Sequence, residues 1–138
     1  MTPAVFDSNV IISGAAWRGA APFGCLVAVA RQRVEVFTSN WILEEVERTL
    51  KRLIGERELR WDPMPVFNWF VENAQRVDLA PTGKPRSRDP KNDPILGTAL
   101  SARARYLVTN DKDLLVLERP FGIAIVSPAE FLRELAGY

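Results

Sequence analysis

Val34-Glu35-Val36-Phe37-Thr38-Ser39-Asn40-Trp41-Ile42 changes periodicity part-way along. Residues 34–38 alternate and are rich in β-formers, which reads as a strand. Ser39 or Asn40 then supplies a helix cap, and Ile42, Val46, Leu50 and Leu53 recur at helical spacing to about residue 54, with Gly55 marking the end. A strand that passes directly into a capped amphipathic helix is the repeating unit of an α/β fold.

The same unit recurs on both sides. Upstream, Ala4-Val5-Phe6 reads as a short strand after Pro3. Ser8-Asn9 reads as a polar turn, residues 13–19 as a small-residue loop, and Pro22 as the opening of a helix to about residue 31. Downstream, Asp62-Pro63 repeats the cap-then-proline signal for a helix to about residue 74, and residues 77–79 suggest a short strand. Residues 80–92 hold three prolines, a glycine and many charges and form the longest loop. A helix over 93–105 places Ile95, Leu96, Ala99 and Leu100 on one face. A strand at 106–109, a short helix at 110–117 and a last strand at 122–126 follow, and Ser127-Pro128-Ala129-Glu130 opens a terminal helix with a capping box. The alternation predicts a single domain over 1–138: a three-layer α/β/α architecture around a central parallel sheet of four to five strands. In such sheets ligands bind beyond the carboxyl ends of the strands, at the point where strand order reverses.

At 138 residues, with 47% apolar and 25% charged side chains, the chain has ordinary globular composition, which argues against disorder. The net charge of +1 gives no overall basic excess. Arg48, Lys51, Arg52, Arg57 and Arg60 cluster, as do Lys84, Arg86 and Arg88, and such groups either attract phosphates or form a solvated surface. Cys25 is the one cysteine, so no intrachain disulfide forms, and its apolar neighbours make it a small buried hydrophobe. There is no basic-then-apolar leader and no apolar run of the ~18 residues that a membrane span needs, so a cytoplasmic location without membrane contact is expected. Histidine is absent, which excludes His-based triads and His zinc sites and leaves carboxylates as the main catalytic candidates.

Asp7 directly follows the first strand, and Asp111 follows the strand at 106–109, in Thr109-Asn110-Asp111-Lys112-Asp113. Both belong at the carboxyl edge of the sheet, although Asp7 also suits an ordinary turn. Glu45 falls on the border of the apolar face of its helix, within reach of the cleft or of Arg48 or Thr49, whereas Glu44 points nearly opposite. Asp89 and Asp93 flank a helix start, where acids also complement the dipole by ~0.3–1 kcal/mol. Asp113 suits a cap of the short helix. The conjunction carries more weight than any one acid. Two unit charges ~4 Å apart repel by ~1 kcal/mol in water and ~4 kcal/mol at an effective dielectric of 20, so converging acids call for a cation. An all-oxygen, histidine-free site suits Mg²⁺ or Mn²⁺, which favours phosphodiester hydrolysis over a metal-free glycosidase.

Asp7-Ser8-Asn9 after a first strand, Glu45 after Ser39, an Asp-Pro-x-x-Asp stretch, Thr109-x-Asp111 and the tail Ile125-Val126-Ser127-Pro128-Ala129-Glu130-Phe131 together resemble the PIN domain, in particular its VapC-like toxin branch. The resemblance implies a PIN-like fold and a Mg²⁺/Mn²⁺-dependent endoribonuclease whose acids at Asp7, Glu45 and Asp111 bind metal directly or through water, leaving a 5′-phosphate and a 3′-hydroxyl. Asn9 and Thr109 resemble residues that orient the acids. Arg48, Lys51 and Arg52 are the candidate substrate contacts. One position departs: the family's third acid falls seven residues before a small residue matching Ala99, which lands on Asn92. Asp93 is the expected fourth member of the acidic cluster, with Asp89 or Asn92 as alternatives. The resemblance also implies a homodimer and an antitoxin protein that folds over a surface such as the helix at 62–74, rich in Val66, Phe67, Trp69, Phe70 and Val71. Trp41 either stacks a base or packs internally. A receiver or phosphatase domain is disfavoured, since there is no Asp-x-Asp after the first strand and no late lone Lys following a strand. A catalytically weak or inactive PIN-like RNA- or protein-binding module is the alternative, and Asn92 is its best support.

Overall fold

The computed structural model describes residues 1–83 and 87–137. Five strands, β1 (Thr2–Phe6), β2 (Val34–Thr38), β3 (Gln75–Arg76), β4 (Tyr106–Val108) and β5 (Ala124–Val126), form one parallel sheet in the order β3-β2-β1-β4-β5. The chain runs outward from β1 through β2 to β3 and then returns to the other side of β1. Strand order therefore reverses between β1 and β4, and a crevice opens beyond their carboxyl ends. Parallel crossovers are right-handed as a rule, which puts the outward and return connections on opposite faces and accounts for the expected three layers.

Register places alternate side chains on opposite sides. Ala4 pairs with Tyr106 and Phe6 with Val108, so these face together, while Val5 pairs with Leu107 on the other side. On the first face Phe6 meets Phe70 of α4 (Met64–Asn73) with ring centroids 6.4 Å apart and Phe131 of α7 (Pro128–Ala136) at 6.0 Å, and Phe131 meets Tyr106 at 5.3 Å. On α5 (Asn92–Ser101), Ile95, Leu96 and Ala99 are buried, and this helix packs on β1, β2 and β4.

The helix after β2, α3 (Asn40–Gly55), forms as its sequence implies: Ser39 is the cap, accepting from the Ile42 amide at 3.5 Å, and Ile42, Val46, Leu50 and Leu53 are buried. The Thr98 hydroxyl of α5 lies 2.8 Å from Ser39 Oγ, so the cap of α3 is tied to α5. At the other end of the chain Ser127 Oγ accepts from Glu130 N at 3.2 Å, completing the expected start of α7.

Four expectations are corrected. Residues 8–16 are not a turn and loop but helix α1 (Ser8–Ala16). Gly14 there is not a loop-former: a Cβ on it would lie 2.7 Å from Leu26 Cδ1 and 3.0 Å from the Pro22 carbonyl, so its bareness lets α2 (Ala21–Ala30) pack closely. The edge strand is β3 at Gln75–Arg76, not 77–79, although the Val77 amide still reaches the Thr38 carbonyl at 2.9 Å. The last strand starts at Ala124, because Phe121 and Gly122 adopt left-handed φ values of 57° and 78° in a 3-10 turn. The helix expected over 93–105 begins at Asn92 and ends at Ser101, with Arg103 at φ 51° turning the chain into β4.

Trp41 is part-buried against the core. Lys84 and Arg86 of the second basic cluster lie outside the described residues. No single helix among the described residues is long and apolar enough to cross a membrane.

Gly97 controls the approach of the long loop to α5. Its carbonyl accepts from the Ala80 amide at 3.1 Å, and a Cβ on it would come within 2.6 Å of the Ala80 carbonyl. Backbone on both sides leaves no flexible side chain to yield. Gly97→Ala is expected to lower stability by roughly 1–3 kcal/mol despite its better helix propensity, measured as a lower melting temperature; an unchanged or raised melting temperature would contradict the close approach.

Candidate active site

Asp7 ends β1 and starts α1. It occupies the cap position, yet its carboxylate does not make the side-chain cap of that helix. Instead Asp7 Oδ2 accepts from the Thr109 hydroxyl at 2.6 Å, across the point where strand order reverses. The Asp7 amide donates to the Val108 carbonyl at 2.9 Å, which locks the ends of β1 and β4 together. Thr109 Oγ1 also accepts from the Asp111 amide at 2.9 Å. One buried hydroxyl thus sets the position of two acids from different strands.

Asp111 caps α6 (Lys112–Leu115), its Oδ1 accepting from the Asp113 amide at 2.8 Å. The cap is therefore Asp111 and not Asp113, which lies in the first turn of that helix. The second oxygen, Asp111 Oδ2, accepts from Asn92 Nδ2 at 3.3 Å, and the same amide donates to Ser87 Oγ at 3.1 Å. Asp89 Oδ1 accepts from the Lys91 amide at 3.0 Å, in a turn that leads into α5.

These groups share a cleft of about 400 Å³ beyond the carboxyl edge. Asp7, Glu45, Asp89, Asn92 and Asp111 line it, with Asn9 beside them. Glu45, Arg48 and Arg52 come from one stripe of α3 and project into it. Asp93 and Asp113 are not among its lining residues. Of the three residues named for the position before Ala99, Asn92 and Asp89 line the cleft, and Asp93 does not. Asn92 is 5% exposed at the first turn of α5, and one helical step to Asp93 turns the side chain by ~100°. Lys51 likewise lies away from the cleft and pairs with Glu47 at 2.9 Å. Arg52 pairs with Glu56 at 3.1 Å. Thr49, Lys91 and the brace Ser87 were not singled out from the sequence. Thr49 alone left a trace there, one turn beyond Glu45 on the same face.

Burial raises the Asp7 pKa from 3.8 to about 6, and the negative charges of Asp111 and Glu45 add to this, while hydrogen bonds from Thr109 and the Ser8 backbone oppose it. A carboxylate that is 4% exposed and faces two other acids is a charge that its hydrogen bonds relieve only in part. Two arginines on the rim complete a combination of acids that repel one another beside cations that can hold phosphate.

A family model described as PIN domain matches residues 3–113. The chain belongs to the PIN-domain family. The matched span contains Asp7, Glu45, Asn92 and Asp111. No curated protein and no solved structure matches the chain. PIN domains are generally nucleases and typically use divalent metals. The donor set here is oxygen-only, and a hard divalent ion would relieve the repulsion felt at Asp7. No three acids among the described residues stand close enough to enclose an ion. Asp7, Asp111 and Glu45 are the residues that would hold such an ion.

The raised Asp7 pKa has a definite sign in stability. The folded metal-free protein holds this proton more tightly than the unfolded chain, so its stability falls as pH rises from about 3.8 to about 6 and stays lower above that. The difference corresponds to at most roughly 3 kcal/mol. Asp7→Asn is expected to raise the melting temperature of the metal-free protein at pH 7.5 and to change it little below pH 4; a lower melting temperature at pH 7.5 would contradict the charge argument. In the wild type, Mn²⁺ binding by calorimetry is expected to weaken below pH 6, toward about tenfold per pH unit, as a proton competes for Asp7.

Asn92 donates to Asp111 where an added acid would instead repel it. Asn92→Asp is expected to destabilise the metal-free protein and to tighten Mn²⁺ binding by about tenfold or more. Equal melting temperatures and equal Mn²⁺ affinities for the two proteins would show that this side chain does not face the ion.

Proposed function

We propose that this PIN domain is a Mg²⁺- or Mn²⁺-dependent endoribonuclease and the toxin of a toxin–antitoxin pair, acting in the cytoplasm. The observation that carries the nuclease reading is the convergence of Asp7, Glu45 and Asp111 in a cleft rimmed by Arg48 and Arg52.

Asp7, Asp111 and Glu45 would hold the ion, which when bound polarises the scissile phosphate and lowers the pKa of the attacking water. Thr109 fixes the carboxylate plane of Asp7, and Asn92 fixes that of Asp111, so the acids are aimed before substrate arrives. Arg48 and Arg52 bind the non-bridging phosphate oxygens and offset the charge that builds up in the transition state. Among the described residues, no hydrogen bond or ion pair engages the Arg48 side chain.

The partner reading draws on a second feature. Phe23, Leu26 and Val27 of α2 and Val66 and Trp69 of α4 line an apolar groove of about 290 Å³. An apolar groove on two neighbouring helices suits a homodimer contact or an antitoxin segment. A PIN-like RNA- or protein-binding module with weak or no catalysis is the second reading, favoured by neutral Asn92 and by acids too dispersed to enclose an ion.

Purified protein incubated with total cellular RNA is expected to produce discrete fragments with Mn²⁺ or Mg²⁺, none in EDTA, and none with Asp7→Asn. Absence of cleavage together with absence of Mn²⁺ binding would reject the nuclease and leave the binding module.

A further inference from the structure

Helix α3 separates two depressions. Glu45, Arg48, Thr49 and Arg52 line the acidic cleft, whereas Asn40, Glu44, Glu47 and Lys51 line a larger groove of about 720 Å³. Glu44, Glu47 and Lys51 each stand one residue before a cleft residue, and one residue turns a helix by ~100°, so the two sets face different sides of the same cylinder. Arg48 borders both depressions. The far wall of the groove is α4, through Phe67, Asn68 and Val71, and β3 contributes Arg76.

The chemistry of this groove is mixed in a particular way. Leu43 and Phe67 are buried and Val71 is half-buried, which gives an apolar floor. Asn40 and Asn68 are exposed and carry amides that both donate and accept. Arg76 Nη1 donates to Asn40 Oδ1 at 3.3 Å, which leaves the Asn40 amide hydrogens free to donate. Lys51 and Glu47 neutralise each other at 2.9 Å, so Arg48 and Arg76 outweigh Glu44. The volume falls in the range of roughly 300–1,000 Å³ typical of small-ligand sites. An apolar floor bordered by amides and guanidinium groups matches an unpaired nucleobase and its phosphate. The α2–α4 groove is apolar almost throughout and suits a protein segment better than this one does.

We propose that the α3–α4 groove holds the nucleotide adjoining the scissile phosphate of single-stranded RNA. Its base rests on Leu43, Phe67 and Val71, its edge is read by Asn40 and Asn68, and Arg48 braces the phosphate that links groove and cleft. The proposal rests on the nuclease reading and extends it to substrate selection.

The test is anisotropy of short fluorescein-labelled homopolymers of A, C and U in EDTA, with thermal melts to confirm folding; Asn68 and Arg76 are both exposed, so their loss spares the core. Asn68→Ala and Arg76→Ala are each expected to weaken the preferred homopolymer by roughly fivefold and to change the ranking among the three, while Arg48→Ala weakens all three alike. Affinities of the groove variants within about twofold of wild type, or an equal loss for every homopolymer, would overturn the subsite; if metal-dependent cleavage of cellular RNA persists in that case, the nuclease reading stands without it. A wild-type protein that neither binds these oligomers nor cleaves RNA overturns both.

Discussion

The hydrogen bond from Thr109 to Asp7 joins the two strands on which the rest of the site depends. It spans the reversal of strand order, so it forms only when β1 and β4 are adjacent and in the observed register. It also turns an aspartate that could have capped its own helix into one held at the crevice. The same hydroxyl accepts from the Asp111 amide, so a single side chain fixes the backbone of one acid and the carboxylate of another. Correct folding of the sheet edge and correct aim of the acids are one event.

This arrangement carries a cost that the rest of the molecule absorbs. Asp7 is buried and faces other acids, which holds its pKa near 6 in the metal-free protein. Phe6 and Tyr106 lie on the same two strands, and their aromatic contacts with Phe70 of α4 and Phe131 of α7 stabilise them from one face. Sites that bind charge are commonly less stable than an apolar alternative would be. Neutral Asn92 fits that pattern: as a donor to Asp111 it satisfies a carboxylate where a further acid would add repulsion.

Much of this was legible in the chain because the signals were local. The β2–α3 unit shows both its periods and its cap, and the structure reproduces them. Asp7 and Asp111 follow strands, so their edge position was readable as soon as the sheet was parallel. Helix α1 was not readable, because Ile, Val, Ser and Gly are weak helix formers; what stabilises it is close packing on α2 at Gly14, a contact that no local pattern announces. The count back from Ala99 lands on Asn92, and the preference for Asp93 as the acid failed because one helical step of ~100° turns that side chain away from the cleft. The role of Ser87 was not readable because it rests on a tertiary contact, the hydrogen bond from Asn92, that no local pattern announces.

Helix α3 shows how one amphipathic segment can serve three surfaces. Its apolar stripe is committed to the core, which fixes the rotation of the helix about its axis. With rotation fixed, every other side chain has its direction assigned: one flank delivers Glu45, Arg48 and Arg52 to the acids, and the neighbouring flank delivers Asn40, Glu44 and Lys51 to the groove. The Ser39 cap and its contact with Thr98 fix the remaining freedom, translation along the axis, against α5, which itself carries Asn92. Specificity and chemistry, on the reading proposed for this site, are then set by the same rigid body. A change in the core that rotated α3 would disturb both surfaces together, whereas a change at Asn68 or Arg76 would reach only the groove.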